Sequence, residues 1–148
     1  MRRAIFLGLS LTALAAGCGG GSSKPLSHDE FVKQANAICA EYNDRIAALG
    51  TPQGLSDLVT FAQKGRATAE DDVGKFAKLK PPAKDAAGAA AFVAAGRTVI
   101  DNLGKLEAAA KKGSVSAVQQ IAAAAQANAD RARLIAQRLG LTECAKQG

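Results

Sequence analysis

The sequence has few of the side chains that enzymes and metalloproteins most often use for chemistry. Its 148 residues include one histidine (His28), one methionine (Met1) and no tryptophan. A single histidine excludes the paired Glu-x-x-His motifs of di-iron bundles and supplies no core partner set for a Ser-His-Asp triad. The haem-attachment motif C-x-x-C-H is also absent. We therefore expect no enzyme, no cofactor and no metal ligands, and we expect His28 to be a surface residue.

The composition favours helices over strands. Aromatic residues make up only 4% of the chain, and hydrophobic residues, alanine above all, make up 48%. No segment shows the sustained alternation of β-branched and polar residues that a half-buried strand requires. Alanine is the strongest helix former, and its small side chain lets helices approach closely. The composition therefore predicts an all-α fold, and the length suits a single domain.

The formal charge of +6 gives little evidence about a partner. Two of the positive charges, Arg2 and Arg3, lie in a predicted signal peptide. Cleavage of this peptide leaves a modest excess of positive charge on the mature chain. No nucleic-acid-binding motif is present, and we expect no nucleic acid partner. Attraction to anionic lipid headgroups or cell-wall polymers is one use of this charge, and a solvated surface is the other interpretation.

The N-terminus is typical of a bacterial secretory signal that ends at a lipid-carrying cysteine. The apolar run over residues 4–16 has about 13 residues, whereas a membrane-spanning helix needs about 20. Three small residues, Ala15, Ala16 and Gly17, lie between Leu14 and Cys18, as in a lipobox. We predict a signal peptide over residues 1–17 and acyl chains of the palmitate type on Cys18, which anchor the protein to the extracytoplasmic side of the cell membrane. The alternative is ordinary cleavage, which releases a free secreted protein.

A flexible Gly/Ser tether over residues 18–26 precedes a predicted helical domain over residues 27–148. Ser27 and Glu30 form a capping box at the start of the first helix. Apolar residues at spacings of three and four then predict four helices. Their predicted limits are Ser27 to Gly50, Thr51-Pro52 to Pro81-Pro82, Ala83 to Lys111, and Ser114 or Ser116 to Gly140-Leu141. The short connections imply an antiparallel up-down-up-down four-helix bundle.

The three cysteines divide into one lipid site and one pair. If Cys18 carries lipid, Cys39 and Cys144 remain, and two cysteines in an exported domain favour a disulfide. In an up-down-up-down bundle the end of the fourth helix lies near the start of the first. Cys39 is about 18 Å along the first helix from its cap, and an extended tail after Leu139 covers about that distance. A redox pair is the alternative, although there is no C-x-x-C motif.

Polar residues near the predicted interior are candidates for ligand binding. Under one interpretation, a small pocket is lined by Tyr42, Asn36 and Asn43 of the first helix and by Asn128 of the fourth. Under the other, they make satisfied buried hydrogen bonds. The acidic run over residues 70–72 points in several directions on the second helix, so we interpret it as a solvated face and not as a cation site.

Three segments carry a resemblance to a known group. They are F-x3-A-x2-I-C from Phe31 to Cys39, L-x-P-P over residues 79–82, and L-G-L-x2-C from Leu139 to Cys144. With the lipobox, they make the chain similar to small actinobacterial-type lipoproteins of unknown function. The resemblance implies a disulfide-tied helical domain outside the membrane, and it carries over no catalytic residues.

Together these features predict a membrane-anchored, non-enzymatic interaction or envelope-structural module. Its expected partner is an envelope protein or an anionic wall polymer, besides the membrane lipid at Cys18. The alternative is a small-ligand carrier with a pocket between the helices. A pocket lined by both Tyr42 and Asn128 favours the carrier, whereas an exposed apolar helix face favours the interaction module.

Overall fold

The computed structural model describes residues 24–146, and all regular structure in this range is helical. Helix α1 spans His28–Ala47, α2 spans Leu55–Ala77, α3 spans Ala83–Lys111 and α4 spans Val115–Arg138, followed by a 3-10 turn at Cys144–Lys146. Each helix packs on the next, and α3 makes the largest interfaces, with α2 and α4. A disulfide joins Cys39 to Cys144. The predicted all-α, antiparallel up-down-up-down four-helix bundle with one disulfide is confirmed.

The predicted signal peptide over residues 1–17 and the predicted lipid site Cys18 lie outside the described residues. Among the helices of residues 24–146, none is long and apolar enough to cross a membrane.

Helix α1 begins with the predicted capping box. The Ser27 hydroxyl accepts a hydrogen bond from the Glu30 backbone N–H at 3.3 Å, and the Glu30 carboxylate accepts one from the Ser27 backbone N–H at 2.9 Å. Hydrogen bonds from Ser27 to the charged carboxylate lower the pKa of Glu30. After the helix, Gly50 takes a φ of +71°, a left-handed conformation that glycine adopts without a steric penalty. Both ends of α1 therefore follow from local sequence.

Helix α4 ends in the Schellman motif that Gly140-Leu141 predicts. The Leu141 N–H donates to the Ala136 carbonyl at 2.9 Å, and the Gly140 N–H donates to the Gln137 carbonyl at 3.1 Å. Leu141 is fully buried as a result. The motif turns the chain back toward α1, which is why the short tail reaches Cys39.

One helix start differs from its prediction, and another is decided between two predicted alternatives. Helix α2 begins at Leu55 and not at Thr51-Pro52, because Gly54 is extended at its N-cap and Gln53 is held in the preceding loop by the Asp57 carboxylate at 3.3 Å. Of the two predicted starts of α4, Ser116 is wrong and Ser114 is confirmed. Ser114 is the N-cap of α4, and in the described structure its side chain makes no capping hydrogen bond.

The aromatic core lies at the end of the bundle where α1 and α3 begin and where α2 and α4 finish, which we call the closed end. Phe31 packs edge-on against Phe76 with ring centroids 5.9 Å apart, and Phe76 packs on Phe92 at 4.9 Å. Leu139, Leu141 and the disulfide belong to the same buried cluster. Most large buried side chains are therefore concentrated at this end, which leaves smaller residues to fill the rest of the bundle.

Candidate functional site

A groove of about 820 Å³ opens between α1 and α4 and runs from the middle of the bundle toward the end opposite the closed end. Its apolar residues come from all four helices, and α4 contributes a row of small side chains to one wall. The apolar lining residues are Ala40, Ile46, Ala47, Phe61, Val99, Leu103, Leu106, Ile121, Ala122, Ala125, Ala129 and Ala132. Alanine side chains are too short to fill the space between α4 and α1, so the groove between these helices remains unfilled.

The C-terminal tail, which links α1 to α4, also borders the groove through Glu143 and Lys146. Asn36 of α1 accepts a hydrogen bond from the Glu143 N–H at 2.9 Å, and the Asn43 amide donates to the Glu143 carbonyl at 3.0 Å. These two asparagines therefore hold the tail in place, as the interpretation of satisfied hydrogen bonds predicts.

The two candidate ligand-binding residues occupy different environments. Asn128 donates from its amide to the backbone carbonyl of Ala95 on α3 at 3.1 Å, which ties α4 to α3, and it does not line the groove. Tyr42 does line the groove. The structure therefore does not bring Tyr42 and Asn128 together in one pocket.

A smaller cavity of about 60 Å³ lies next to the groove, lined mostly by α1, α2 and α3 and by one residue of α4. Tyr42, Val99 and Ala132 line both spaces, so the cavity adjoins the groove floor at these three residues. The cavity wall is apolar except for Tyr42 and Asp72. Its other residues are Ile38, Cys39, Ala69, Val73, Phe76, Phe92, Val93 and Gly96. The cavity therefore presents one carboxylate and one phenol in an apolar environment.

Asp72 is unusual among the residues of this cavity because it is an acidic residue whose side chain is buried. Its side chain is only 6% exposed, and its Oδ1 lies 3.4 Å from Lys75 Nζ and 3.5 Å from Arg45. Its Oδ2 is buried and accepts no hydrogen bond from any described residue. Burial raises the pKa of Asp72, and the charges of Arg45 and Lys75 act in the opposite direction. Burial, together with the negative charge of Asp72, also raises the pKa of Tyr42.

Four charged neighbours connect Asp72 to the protein surface. Arg45 pairs with Asp71 at 2.7 Å, and Lys75 pairs with Glu41 at 2.8 Å and with Asp71 at 2.9 Å. Hydrogen bonds from Lys75 and Arg45 lower the pKa of Asp71, and hydrogen bonds to Glu41 and Asp71 raise the pKa of Lys75. These pairs connect α1 to α2.

The carboxylate oxygens of Glu41, Asp71 and Asp72 lie within 4.8 Å of one another, close enough to hold a metal ion by distance alone. However, Arg45 and Lys75 already contact these carboxylates. We therefore interpret the cluster as an ion-pair network. The prediction of a solvated acidic face is wrong for Asp72, although Asp71 is exposed as expected.

His28 has a partner that the sequence did not indicate. Its Nδ1 lies 2.7 Å from Oδ2 of Asp85, a buried residue in the first turn of α3. The His28 side chain is 37% exposed, so it lies at the surface as predicted, with one face directed at Asp85. The contact joins the starts of α1 and α3, so it is a further contact between helices at the closed end.

Neither a protein-family model, nor a curated protein, nor a solved structure matches the chain. The groove and the cavity beside it are therefore the features from which a function has to be inferred.

Proposed function

We propose that this chain is a lipoprotein, anchored through an acylated Cys18 to the extracytoplasmic side of the cell membrane. The N-terminal pattern supports this, since an arginine-led apolar run that is too short to span a membrane ends at a cysteine. The disulfide between Cys39 and Cys144 supports export, because disulfides persist mainly in oxidising compartments. One cysteine is then left for lipid.

If the acyl chains are attached to Cys18, replacement of this one residue should abolish acylation. Cells that express the wild-type chain and are fed a labelled palmitate should incorporate label into the protein, and Cys18→Ser should incorporate none and leave the membrane fraction. Stable anchoring requires two acyl chains, so partial retention is not expected. A wild-type protein without label would overturn the proposed anchor.

We further propose that the helical domain is a non-enzymatic binding module and that the groove takes a small apolar or amphiphilic ligand. The observation that carries this is the groove itself, whose volume of about 820 Å³ lies within the range of small-molecule sites. Among the described residues the large hydrophobic side chains that are more than half exposed are Val115 and Leu134, at opposite ends of α4. They form no apolar face, so a protein partner docked on one helix has less support.

Site-specific crosslinking in the native envelope tests this proposal. A photoreactive amino acid at Gln126, which lines the groove, should capture a small molecule or lipid that mass spectrometry detects as a fixed mass addition. The same amino acid at Gln120, an exposed α4 residue outside the groove lining, is the matched control. A protein or wall polymer captured from Gln126 alone would instead favour the envelope-interaction module.

A further inference from the structure

The exposed charges of the bundle are distributed unevenly between its two ends. At the closed end, over residues 24–31, 74–86 and 135–140, five exposed cations outnumber two exposed carboxylates, Asp29 and Glu30. The five cations, which we call the basic surface, are Lys24, Lys78, Lys80, Lys84 and Arg138. At the opposite end, over residues 44–58 and 108–118, the exposed charges balance. They are Lys111, Lys112, Asp44 and Asp57.

Contacts within the protein do not account for the basic surface. Lys78, Lys84 and Arg138 form no ion pair with any residue that the structure describes, whereas Lys111 at the opposite end pairs with Glu107 at 2.6 Å. Asp85, which follows Lys84 in the chain, is buried and contacts His28 instead. The positive charge of this end is therefore available to a partner.

Helix stability explains only part of this charge. Lys78 and Arg138 lie at the C-terminal ends of α2 and α4, where a cation is favourable next to the negative end of the helix dipole. Lys84 lies in the first turn of α3, at the positive end of its dipole, where a cation is unfavourable. Lys24 lies outside any helix. The closed end is therefore more basic than its helices require.

The predicted tether joins the bundle at this same end. The Leu26 N–H donates to the Lys80 carbonyl at 2.8 Å, and the Leu26 side chain packs against the buried cluster of the closed end. Lys24 lies six positions after Cys18, and a chain of that length extends at most about 20 Å. Helix α1 has 20 residues and is about 30 Å long. An anchor at Cys18 therefore keeps the basic surface near the bilayer and the opposite end farther from it.

We propose that the basic surface docks on the anionic phospholipid headgroups of the membrane that holds Cys18. This inference rests on the proposed lipid anchor and adds an orientation to it. Each lysine or arginine near an anionic membrane strengthens binding about fivefold, so a cluster of them fixes which end of the domain faces the lipid. The groove runs toward the opposite end. Docking therefore leaves the groove open on the side away from the bilayer, where a ligand enters from the aqueous phase.

Cosedimentation with vesicles tests the basic surface without the anchor. The mature chain that carries Cys18→Ser is mixed with vesicles of phosphatidylcholine, either alone or with phosphatidylglycerol, at about 0.1 M ionic strength, where the Debye length is about 10 Å. We expect at least about tenfold stronger partition onto the anionic vesicles, as two or more basic residues at the lipid surface imply. About 1 M salt should abolish the preference because it shortens the Debye length to about 3 Å.

Two triple variants of equal net charge separate the basic surface from the overall charge. The first replaces three of its cations, by Lys78→Gln, Lys84→Gln and Arg138→Gln. It should lower partition onto the anionic vesicles at least about tenfold. The matched control replaces three exposed cations of the opposite half, by Lys64→Gln, Lys105→Gln and Lys112→Gln. It should lower partition by less than about threefold, because salt screens charges that far from the lipid. All six side chains are exposed, so both variants should fold, which circular dichroism checks.

Photocrosslinking tests the orientation of the tethered chain. The wild-type mature chain is coupled through the Cys18 thiol to a maleimide lipid in the anionic vesicles, which replaces the acyl chains. The other two cysteines form the disulfide and do not react. A photoreactive amino acid at exposed Ala86, in the first turn of α3, should form phospholipid adducts. The same amino acid at exposed Ser116, in the first turn of α4, should form few or none.

Equal partition onto neutral and anionic vesicles, or equal losses in the two triple variants, would overturn the docking inference. Adducts as frequent at Ser116 as at Ala86 would contradict the orientation. If the first variant loses binding to soluble polyglycerol phosphate and the wild type shows no preference for anionic vesicles, the basic surface binds a wall polymer and not the membrane. Palmitate labelling decides separately whether Cys18 is acylated, because neither vesicle assay requires acylation in cells.

Discussion

Replacement of both Cys39 and Cys144 by alanine is expected to lower the free energy of unfolding by about 2–5 kcal/mol. The two residues are 105 positions apart and close a loop that contains most of the domain. A covalent link across so long a loop restricts the unfolded chain strongly, and the chain-entropy model gives about 4.7 kcal/mol for a loop of about 100 residues. Urea unfolding followed by circular dichroism at the helical band measures the loss.

The folded protein should survive this change, because noncovalent contacts also hold the tail. Leu141 is fully buried, and Asn36 and Asn43 hydrogen-bond the backbone of Glu143. Reduced wild-type protein, which lacks the bond but keeps both sulfur atoms, is the matched control and should lose nearly as much stability as the double variant. Both samples carry Cys18→Ser so that no third thiol exchanges. Equal stability of the oxidised and reduced wild type would contradict a structural disulfide.

The helix ends that local sequence specifies were predictable. The capping box at Ser27, the limits of α3 from Ala83 to Lys111, and the glycine-based end of α4 at Gly140 each depend on contacts within a few residues. The start of α2 was predicted too early because a proline after threonine is a common helix start. Here the loop hydrogen bond between Gln53 and Asp57 competes with that start.

Asp72 was predicted to be solvated although the sequence contains a signal for its burial. It lies three residues after Ala69 and four before Phe76, both buried, so it occupies the inward stripe of α2. The neighbouring acidic residues Glu70 and Asp71 suggested a uniform charged surface. Its environment depends on Tyr42 and Arg45 of α1, which are remote in sequence, so its unpaired oxygen could not be inferred from one helix.

The groove could not be predicted from helix periodicity for a related reason. The alanine row that includes Ala125 and Ala129 predicts a helix with small side chains, which suits close packing as well as an open wall. The distance between α1 and α4 decides between them. That distance depends on where the tail reaches α1, through Cys144 and Glu143, and such long-range contacts have no local sequence signature.

The second large effect is expected at Phe31, the aromatic residue that α1 contributes to the closed end. Phe31→Ala should lower the free energy of unfolding by about 3–5 kcal/mol. Phe31 is fully buried and packs edge-on against Phe76, which in turn packs on Phe92, so one substitution removes the α1 contribution to a cluster spanning three helices. The small neighbours Ala35 and Ala136 cannot expand to fill the space, so a cavity should remain.

Phe61→Ala is the matched control, because Phe61 is only partly buried and lines the groove. Its loss should be about half that of Phe31→Ala or less, since less apolar surface is removed from a packed environment. Urea unfolding of both variants in the Cys18→Ser background gives the comparison, and Phe31→Leu provides a milder change if the alanine variant does not fold. Equal losses at Phe31 and Phe61 would mean that stability is spread evenly along the bundle and is not concentrated where the aromatic cluster, the tail and the disulfide meet.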